Sequence, residues 1–172
     1  MVAARRPEIF LSVSATTRMP RPEEVHGREY LFLSEQEFAA VEARGEFLET
    51  ATVHGTRRYG TPRPPVELAL AAGRPVLLEI DVQGARIVKK RMPEAVTVFI
   101  DPPSWEVLEG RLRGRGTEDS DAVARRLATA REELATAAEF DRRVVNDDLE
   151  DAAAQVDRIL VGSINQEGTA SP

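Results

Sequence analysis

PVLLEIDV, residues 75–82, decides the fold class. Its apolar run is nearly continuous rather than alternating, the pattern of a strand buried on both faces in a parallel sheet. The segment GARIVKKR (84–91) follows as a short helix, and AVTVFI (95–100) repeats the buried-strand pattern. Ser104 then caps a helix reaching about Arg113. Between Ala122 and Phe140, Val123, Leu127, Ala130, Leu134 and Ala138 lie near helical spacing and predict one long helix. RRVVN (142–146) reads as a last strand, and Leu149, Ala152, Val156, Ile159 and Leu160 mark a final amphipathic helix. Strands alternating with helices in this way imply an α/β fold with a parallel sheet and flanking helices. GRGTEDSD (114–121) is predicted to be a mobile loop, and GSINQEGTASP (162–172) a frayed tail.

Toward the N-terminus the pattern changes. EIFLSVS (8–14) is a strand, and the proline- and arginine-rich SATTRMPRPEEVHGREY (14–30) cannot be a helix. Tyr30 to Leu33 is a short strand. Ser34 with Glu37 forms a capping box for a helix whose apolar face is Phe38 and Val41 and which ends at Gly45. Phe47 to Val53 is another strand, followed by the turn-rich HGTRRYGTP (54–62) and a helix from about Pro65 to Ala72, ended by Gly73. Residues 28–61 therefore read as a small, mixed-β lobe inserted into the α/β domain.

Composition narrows the functions open to such a domain. The 172 residues suit one globular domain. With no cysteine there are no disulfides, thiolate metal sites or thiol nucleophiles, and two histidines, His26 and His54, cannot make a histidine-rich zinc cluster. Both are expected in exposed loops without a role. A net charge of −6 argues against general binding to nucleic acid, and no signal peptide or membrane-length apolar run is present. These features point to the cytoplasm. The basic residues are lopsided, with 21 arginines and only Lys89 and Lys90 as lysines.

Three clusters carry chemistry. In SATTRMPRP (14–22), two arginines three apart, preceded by hydroxyls and stiffened by prolines, stand at the C-terminal end of a strand, where α/β sheets place ligands. Guanidinium forks match phosphate oxygens bidentately, so this is a candidate phosphate clamp. Glu79 and Asp81, two apart on a buried-type strand, share a face, and two unpaired carboxylates in a sheet core would be costly. Around the 114–121 loop, Arg111, Arg113, Arg115, Arg125, Arg126 and Arg131 outnumber three acids. Taken singly, Tyr30 and Tyr59 would be ordinary core or surface tyrosines, Glu49 in FLET a solvated residue alternating outward, and Arg113, Arg125 and Arg131 helix-face solubility charges.

In combination these segments resemble the guanylate kinases. SATTRMPRP, GREYLFLSEQEF, GEFLETATVHGTRRYGTP, VLLEIDVQGA, FIDPPSWEVLEGRLRGRGTE and FDRRVVNDDL occur in that family's order and spacing from about Ile9 to Gly162. The resemblance implies a P-loop-NTPase-like parallel sheet, a GMP-binding lobe at about 28–61 and a helical lid at about 111–131, within a domain spanning 1–162. It implies that Ser14, Arg18, Arg21, Tyr30 and Tyr59 hold the phosphate of GMP, and that Glu49, Thr61 and Asp81 read guanine. Guanine offers N1–H and N2–H₂ as donors and O6 as acceptor; carboxylates suit the first two and a hydroxyl the third, whereas adenine has no N1–H and would leave a buried acceptor unpaired. Arg111, Arg115 and Arg126 would be lid arginines neutralising charge on the transferring phosphoryl group. Asn146 would pack the adenine of ATP, and Glu79 would order the nucleotide's Mg2+ through water.

One part of that family's apparatus has no counterpart in the sequence. Neither lysine follows a glycine, so the 172 residues contain no GxxxxGK(S/T) phosphate loop. ARRPEIF reads as the end of the helix that follows such a loop, and the missing βα unit amounts to roughly 30 residues. The chain is thus expected to be an N-terminally shortened guanylate kinase, through a misplaced start codon or a damaged gene, lacking a central strand and impaired in phosphoryl transfer from ATP to GMP. The alternative is a non-catalytic guanylate-kinase-like module that binds GMP or a phosphopeptide.

Overall fold

The computed structural model describes residues 2–53, 57–114 and 120–167. They form two compact units, residues 3–95 and residues 96–172 with the first two. A four-residue helix, α1 (Val2–Arg5), precedes the first strand.

In the unit 3–95, β1 (Phe10–Leu11) pairs in parallel with β6 (Val76–Leu77), with Phe10 opposite Val76 and Leu11 opposite Leu77. Both strands are shorter than their apolar runs predict, and the fully buried strand expected over 75–82 is not observed. Beyond Leu77 the chain leaves the ladder, and the residues alternate. Leu78 and Ile80 pack against a core of Leu48, Val66 and Val88, while Glu79 between them is exposed. The apolar run thus reflects burial of one side only.

The second sheet is four-stranded and mixed, in the order β3 (Leu31–Phe32), β2 (Ala15–Thr16), β5 (Arg57–Pro62), β4 (Phe47–Val53). β2 and β3 run parallel, and β5 is antiparallel to both its neighbours. The turn-rich 54–62 segment is therefore largely strand: Tyr59 and Thr61, with Gly60 between them, lie at the sheet's centre, whereas His54 falls outside the described residues. The β4–β5 register shifts between Phe47 and Glu49, with Phe47 opposite Pro62 and Glu49 opposite Thr61, so Leu48 is an extra residue in a bulge. Because Pro62 and Thr61 face opposite ways, the bulge sends Phe47 and Glu49 to opposite faces despite their i, i+2 spacing. Phe47 joins Ala15 and Phe38 in the lobe's core. Gly60 lies on that face, and a Cβ there would stand 2.9 Å from the Phe47 ring.

Helix α2 (Glu35–Ala43) covers this face with Phe38, fully buried and stacked on Phe47 at 4.5 Å between ring centroids. Its capping box is complete: the Glu37 amide donates to Ser34 Oγ at 3.2 Å and the Ser34 amide to Glu37 Oε2 at 2.8 Å. Ser34→Ala removes one of these bonds and is expected to lower stability by about 1 kcal/mol, read as a lower denaturant midpoint at unchanged slope. Helix α3 (Arg63–Ala71) contributes Val66 to the second core. Helix α4 (Val82–Arg91), capped by Asp81, adds Val88 and packs on β4.

In the other unit, β7 (Val98–Asp101) and β8 (Arg142–Val145) form a parallel pair. Helix α5 (Trp105–Arg113) starts at Ser104, whose Oγ accepts from the Val107 amide. The long helix expected to Phe140 stops earlier: α6 spans Ser120–Ala135, and a 3-10 turn occupies Ala137–Glu139. At the break the Thr136 hydroxyl donates back to the Glu133 carbonyl at 2.7 Å, a bond that competes with helix continuation. Helix α7 runs from Leu149 to Glu167, into the segment expected to fray. Residues 115–119 of the expected loop and 168–172 of the tail lie outside the described residues. Parallel strand pairs with flanking helices make this an α/β fold, as the 75–146 pattern predicts. Among the described residues no helix is long and apolar enough to cross a membrane.

Candidate functional site

The face of the four-stranded sheet opposite Phe47 is polar. Tyr59 and Thr61, two apart on β5, share it, and Glu49 lies opposite Thr61 on β4. Two groups of side chains meet there.

The first follows β2. Arg18 gives both terminal nitrogens to Glu24, Nη1 to Oε2 and Nη2 to Oε1, each at 2.9 Å. The Arg18 guanidinium is hydrogen-bonded to Tyr59 and sits 5.3 Å from the Tyr30 ring centroid. The two tyrosine rings meet edge to face at 5.9 Å. The hydrogen bond to Glu24 raises the Arg18 pKa further, and burial followed by the neighbouring Tyr59 raises that of Tyr30. Arg21 is exposed, with its amide donating to Glu24 Oε2 at 2.7 Å. Ser14 enters the sheet through its carbonyl, which accepts from the Leu31 amide. Thus Arg18, Arg21, Tyr30 and Tyr59 are brought together around one acidic side chain, with Ser14 one residue before β2.

The second group is built on Glu49. It is 4% exposed, not the solvated residue that outward alternation suggests, because the bulge turns it onto the face that α4 covers. Burial pushes its carboxyl pKa up, while a hydrogen bond from Thr61 opposes this. Thr61, fully buried, donates from Oγ1 to Glu49 Oε1 at 2.7 Å. Its single proton is therefore spent on Glu49 instead of being presented to an acceptor such as O6. Asp81 caps α4, accepting from the Gly84 amide at 2.8 Å, and its charge disfavours ionisation of Glu49. Glu79 and Asp81 do not sit in a sheet core as expected; both lie beyond the end of β6, with Glu79 exposed and Asp81 half-buried. Gly84 is needed where it is: a Cβ would stand 2.7 Å from Glu49 Oε2 and 3.3 Å from Asp81 Oδ1.

In the other unit, Arg111 donates to the carbonyls of Asn146 (2.9 Å) and Asp147 (3.3 Å), joining two of the expected nucleotide-contacting residues. Asn146 continues β8 through its amide, which donates to the Asp101 carbonyl at 2.7 Å. Arg126 is half-buried on α6, and Arg115 lies outside the described residues. Arg113 pairs with Glu109 one helical turn away, and Arg131 stacks 4.6 Å over the Trp105 ring, so these two are helix-surface charges with local partners.

The family model described as guanylate kinase matches residues 2–162. The chain belongs to the guanylate kinase family. Guanylate kinase of Bifidobacterium longum is 59% identical over 157 residues, which are 89% of this chain and 80% of that protein. Guanylate kinase of Corynebacterium efficiens is 51% identical over 158 residues, covering 91% of this chain and 83% of the relative. A crystal structure of guanylate kinase from Anaplasma phagocytophilum superimposes with a TM-score of 0.81 at 36% identity, covering 94% of this chain and 79% of that one. The function of this family, transfer of the ATP γ-phosphoryl group to GMP, is that of a nucleoside monophosphate kinase, and its likeness to this chain extends over most of the length.

Two residues of this candidate site are not among those singled out from sequence. Glu24 has a signal in retrospect, the three-residue interval Arg18, Arg21, Glu24. Gly84 has none, since only the approach of Glu49 explains it.

Proposed function

We propose that the polar face built on β5 is the GMP site of the kinase reaction. Arg18, Arg21, Tyr30, Tyr59 and Ser14 bind the phosphate, and Glu49 and Asp81 accept the guanine N1–H and N2–H₂ protons. Thr61 holds the Glu49 carboxylate in place. The observation carrying this reading is the shared face of Tyr59 and Thr61. Residues two apart on a strand project side by side about 7 Å apart. One of them touches the arginine cluster and the other the buried carboxylate.

Phosphoryl transfer is mainly positioning and electrostatics. An oxygen of the bound GMP phosphate attacks the γ-phosphorus of ATP, and the bond to the β–γ bridging oxygen breaks, giving GDP and ADP. The clamp's part is to hold that phosphate so one oxygen stays free to attack. Arg111, Arg115 and Arg126 offset charge on the transferring group, and Asn146 packs against adenine; the half-buried Arg126 and the Arg111–Asn146 contact are compatible with this.

ATP-dependent transfer of this kind uses Mg2+. Among the described residues no group of three His, Cys, Asp or Glu side chains could cage a metal ion. Such an ion travels largely with nucleotide phosphates and water, and the exposed carboxylate of Glu79 would order one such water. The bound ion would supply charge neutralisation to the phosphates. A cytoplasmic setting agrees with a chain free of cysteine.

Calorimetric titration tests the site. GMP should bind at least tenfold more tightly than AMP, by the unpaired-acceptor penalty. Equal affinities, or binding of a phosphopeptide without GMP, would overturn the reading in favour of a non-catalytic module. With no GxxxxGK(S/T) among its residues, the 172-residue polypeptide by itself is expected to turn over far below the ~1–100 per second usual for kinases. A coupled assay reaching that range would refute this.

A further inference from the structure

The phosphate clamp is already occupied by one of the protein's own anions. Glu24 binds Arg18 through both carboxylate oxygens and the Arg21 amide through Oε2. The Arg21 guanidinium lies 3.7 Å from Oε1. Both partners of the Arg18–Glu24 pair are largely shielded, with side chains 18% and 13% exposed.

The donors left over indicate what this pairing does. Arg18 Nη1 gives one proton to Glu24 and the other to the Met19 carbonyl at 2.8 Å, so that nitrogen is fully used. Nη2 gives one proton to Glu24. The Nε–H and the second Nη2–H form the side edge of the guanidinium, a two-pronged donor suited to a phosphate, and it is on this side that Arg18 meets Tyr59, another of the residues assigned to the phosphate. Glu24 therefore engages the end of the fork and leaves the side. A competitor for the phosphate would be expected to cover the whole fork. The same carboxylate fixes the main chain at Arg21, so it sets both arginines of the clamp across a proline-rich turn.

We infer that Glu24 is a positioning residue for the GMP phosphate: by holding the end of the Arg18 fork and the Arg21 amide, it turns the side edge of Arg18, with its partner Tyr59, toward the incoming phosphate. This rests on the GMP-site reading above. Support comes from the carboxyl of Glu24, whose pKa the bonds from Arg18 and then the Arg21 amide lower to about 2, so the pair stays ionised throughout the pH range of ordinary carboxylates.

The test compares GMP with guanosine, which lacks the phosphate, by calorimetric titration of the full chain and its Glu24→Gln and Glu24→Asp variants. Glu24→Gln should weaken GMP about tenfold, as loss of charge-assisted hydrogen bonds implies, and leave guanosine unchanged. Glu24→Asp, which keeps the charge, should recover part of the loss. Unchanged or tighter GMP binding by Glu24→Gln would overturn the inference, the tighter result making Glu24 a competitor. Equal weakening of GMP and guanosine would also overturn it, reducing Glu24 to a structural role. If the unmodified chain binds GMP no better than guanosine, the phosphate-clamp reading itself falls.

Discussion

Glu49→Gln is expected to weaken GMP binding about 100-fold and to erase the preference for GMP over AMP. In the proposed site the carboxylate accepts from guanine, and a hydrogen bond to a charged group contributes roughly 1.5–3 kcal/mol. Glutamine keeps the shape and one acceptor but points N–H donors at guanine's own. The substitution should not unfold the protein. Burial raises the Glu49 pKa above its unfolded value, so ionisation costs folded-state stability once the pH exceeds that unfolded value, and a neutral amide avoids the cost. The same shift sets a pH dependence. As pH falls, Glu49 takes up its proton earlier than an ordinary glutamate, and GMP affinity should decline while the pH is still above the usual carboxylate range of about 4.3. Glu49→Gln should lack that decline. Titrations at several pH values check both points, and a variant that still prefers GMP would remove Glu49 from the recognition set.

Gly84→Ala separates stability from function in the opposite direction to intuition. On propensity alone, alanine gains at most about 1 kcal/mol over glycine within a helix, and less is expected at Gly84, the third residue of α4. Here the new methyl would meet Glu49 Oε2 at 2.7 Å and Cδ at 3.1 Å. The obstructing atoms are the end of a flexible side chain, so the helix can accommodate the methyl by pushing the carboxylate aside. Glu49 is 4% exposed and bonded to Thr61, so any displacement moves the acceptor that the proposed site offers to guanine. A misplacement of ~1 Å at such a site can cost up to ~100-fold, and about fiftyfold weaker GMP binding is expected. Denaturant unfolding should change by less than ~1 kcal/mol. Unchanged GMP affinity would show that the methyl fits without moving Glu49.

The sequence was most legible where local rules dominate. The capping box at Ser34 and Glu37, the Ser104 cap, the strand over 47–53 and the parallel alternation after residue 75 follow from short-range preference and period, and each appears in the structure. Legibility failed where a long-range pairing decides. Gly60, Tyr59 and Thr61 look like a turn because glycine and proline punctuate them, yet pairing with β2 and β4 on both sides makes them a central strand. Glu49 reads as solvated because period two carries it outward unless a bulge intervenes, and only the register reveals the bulge. Asp81 and Glu79 read as buried because their apolar neighbours form the near-continuous run of a strand buried on both faces, whereas only one side is covered. The arginines and tyrosines of the candidate clamp are identifiable from the resemblance, but Glu24, which ties two of them together, is marked in the sequence by nothing more than its spacing from them.

The bulge also bears on how the unit 3–95 comes apart. Consecutive residues of β4 supply two different cores, Phe47 to the cluster around Phe38 and Leu48 to the cluster around Val66 and Val88. Neither cluster can open fully without pulling on the peptide bond they share. Melting of the small sheet and release of α4 from β4 are thereby tied into one cooperative event, and the buried carboxylate one residue further on travels with both. Amides along β4 should exchange with solvent only through opening of that whole unit, so Glu49 and the end of the proposed site built on it have the unit's own lifetime, while the arginine turn before it can fluctuate locally.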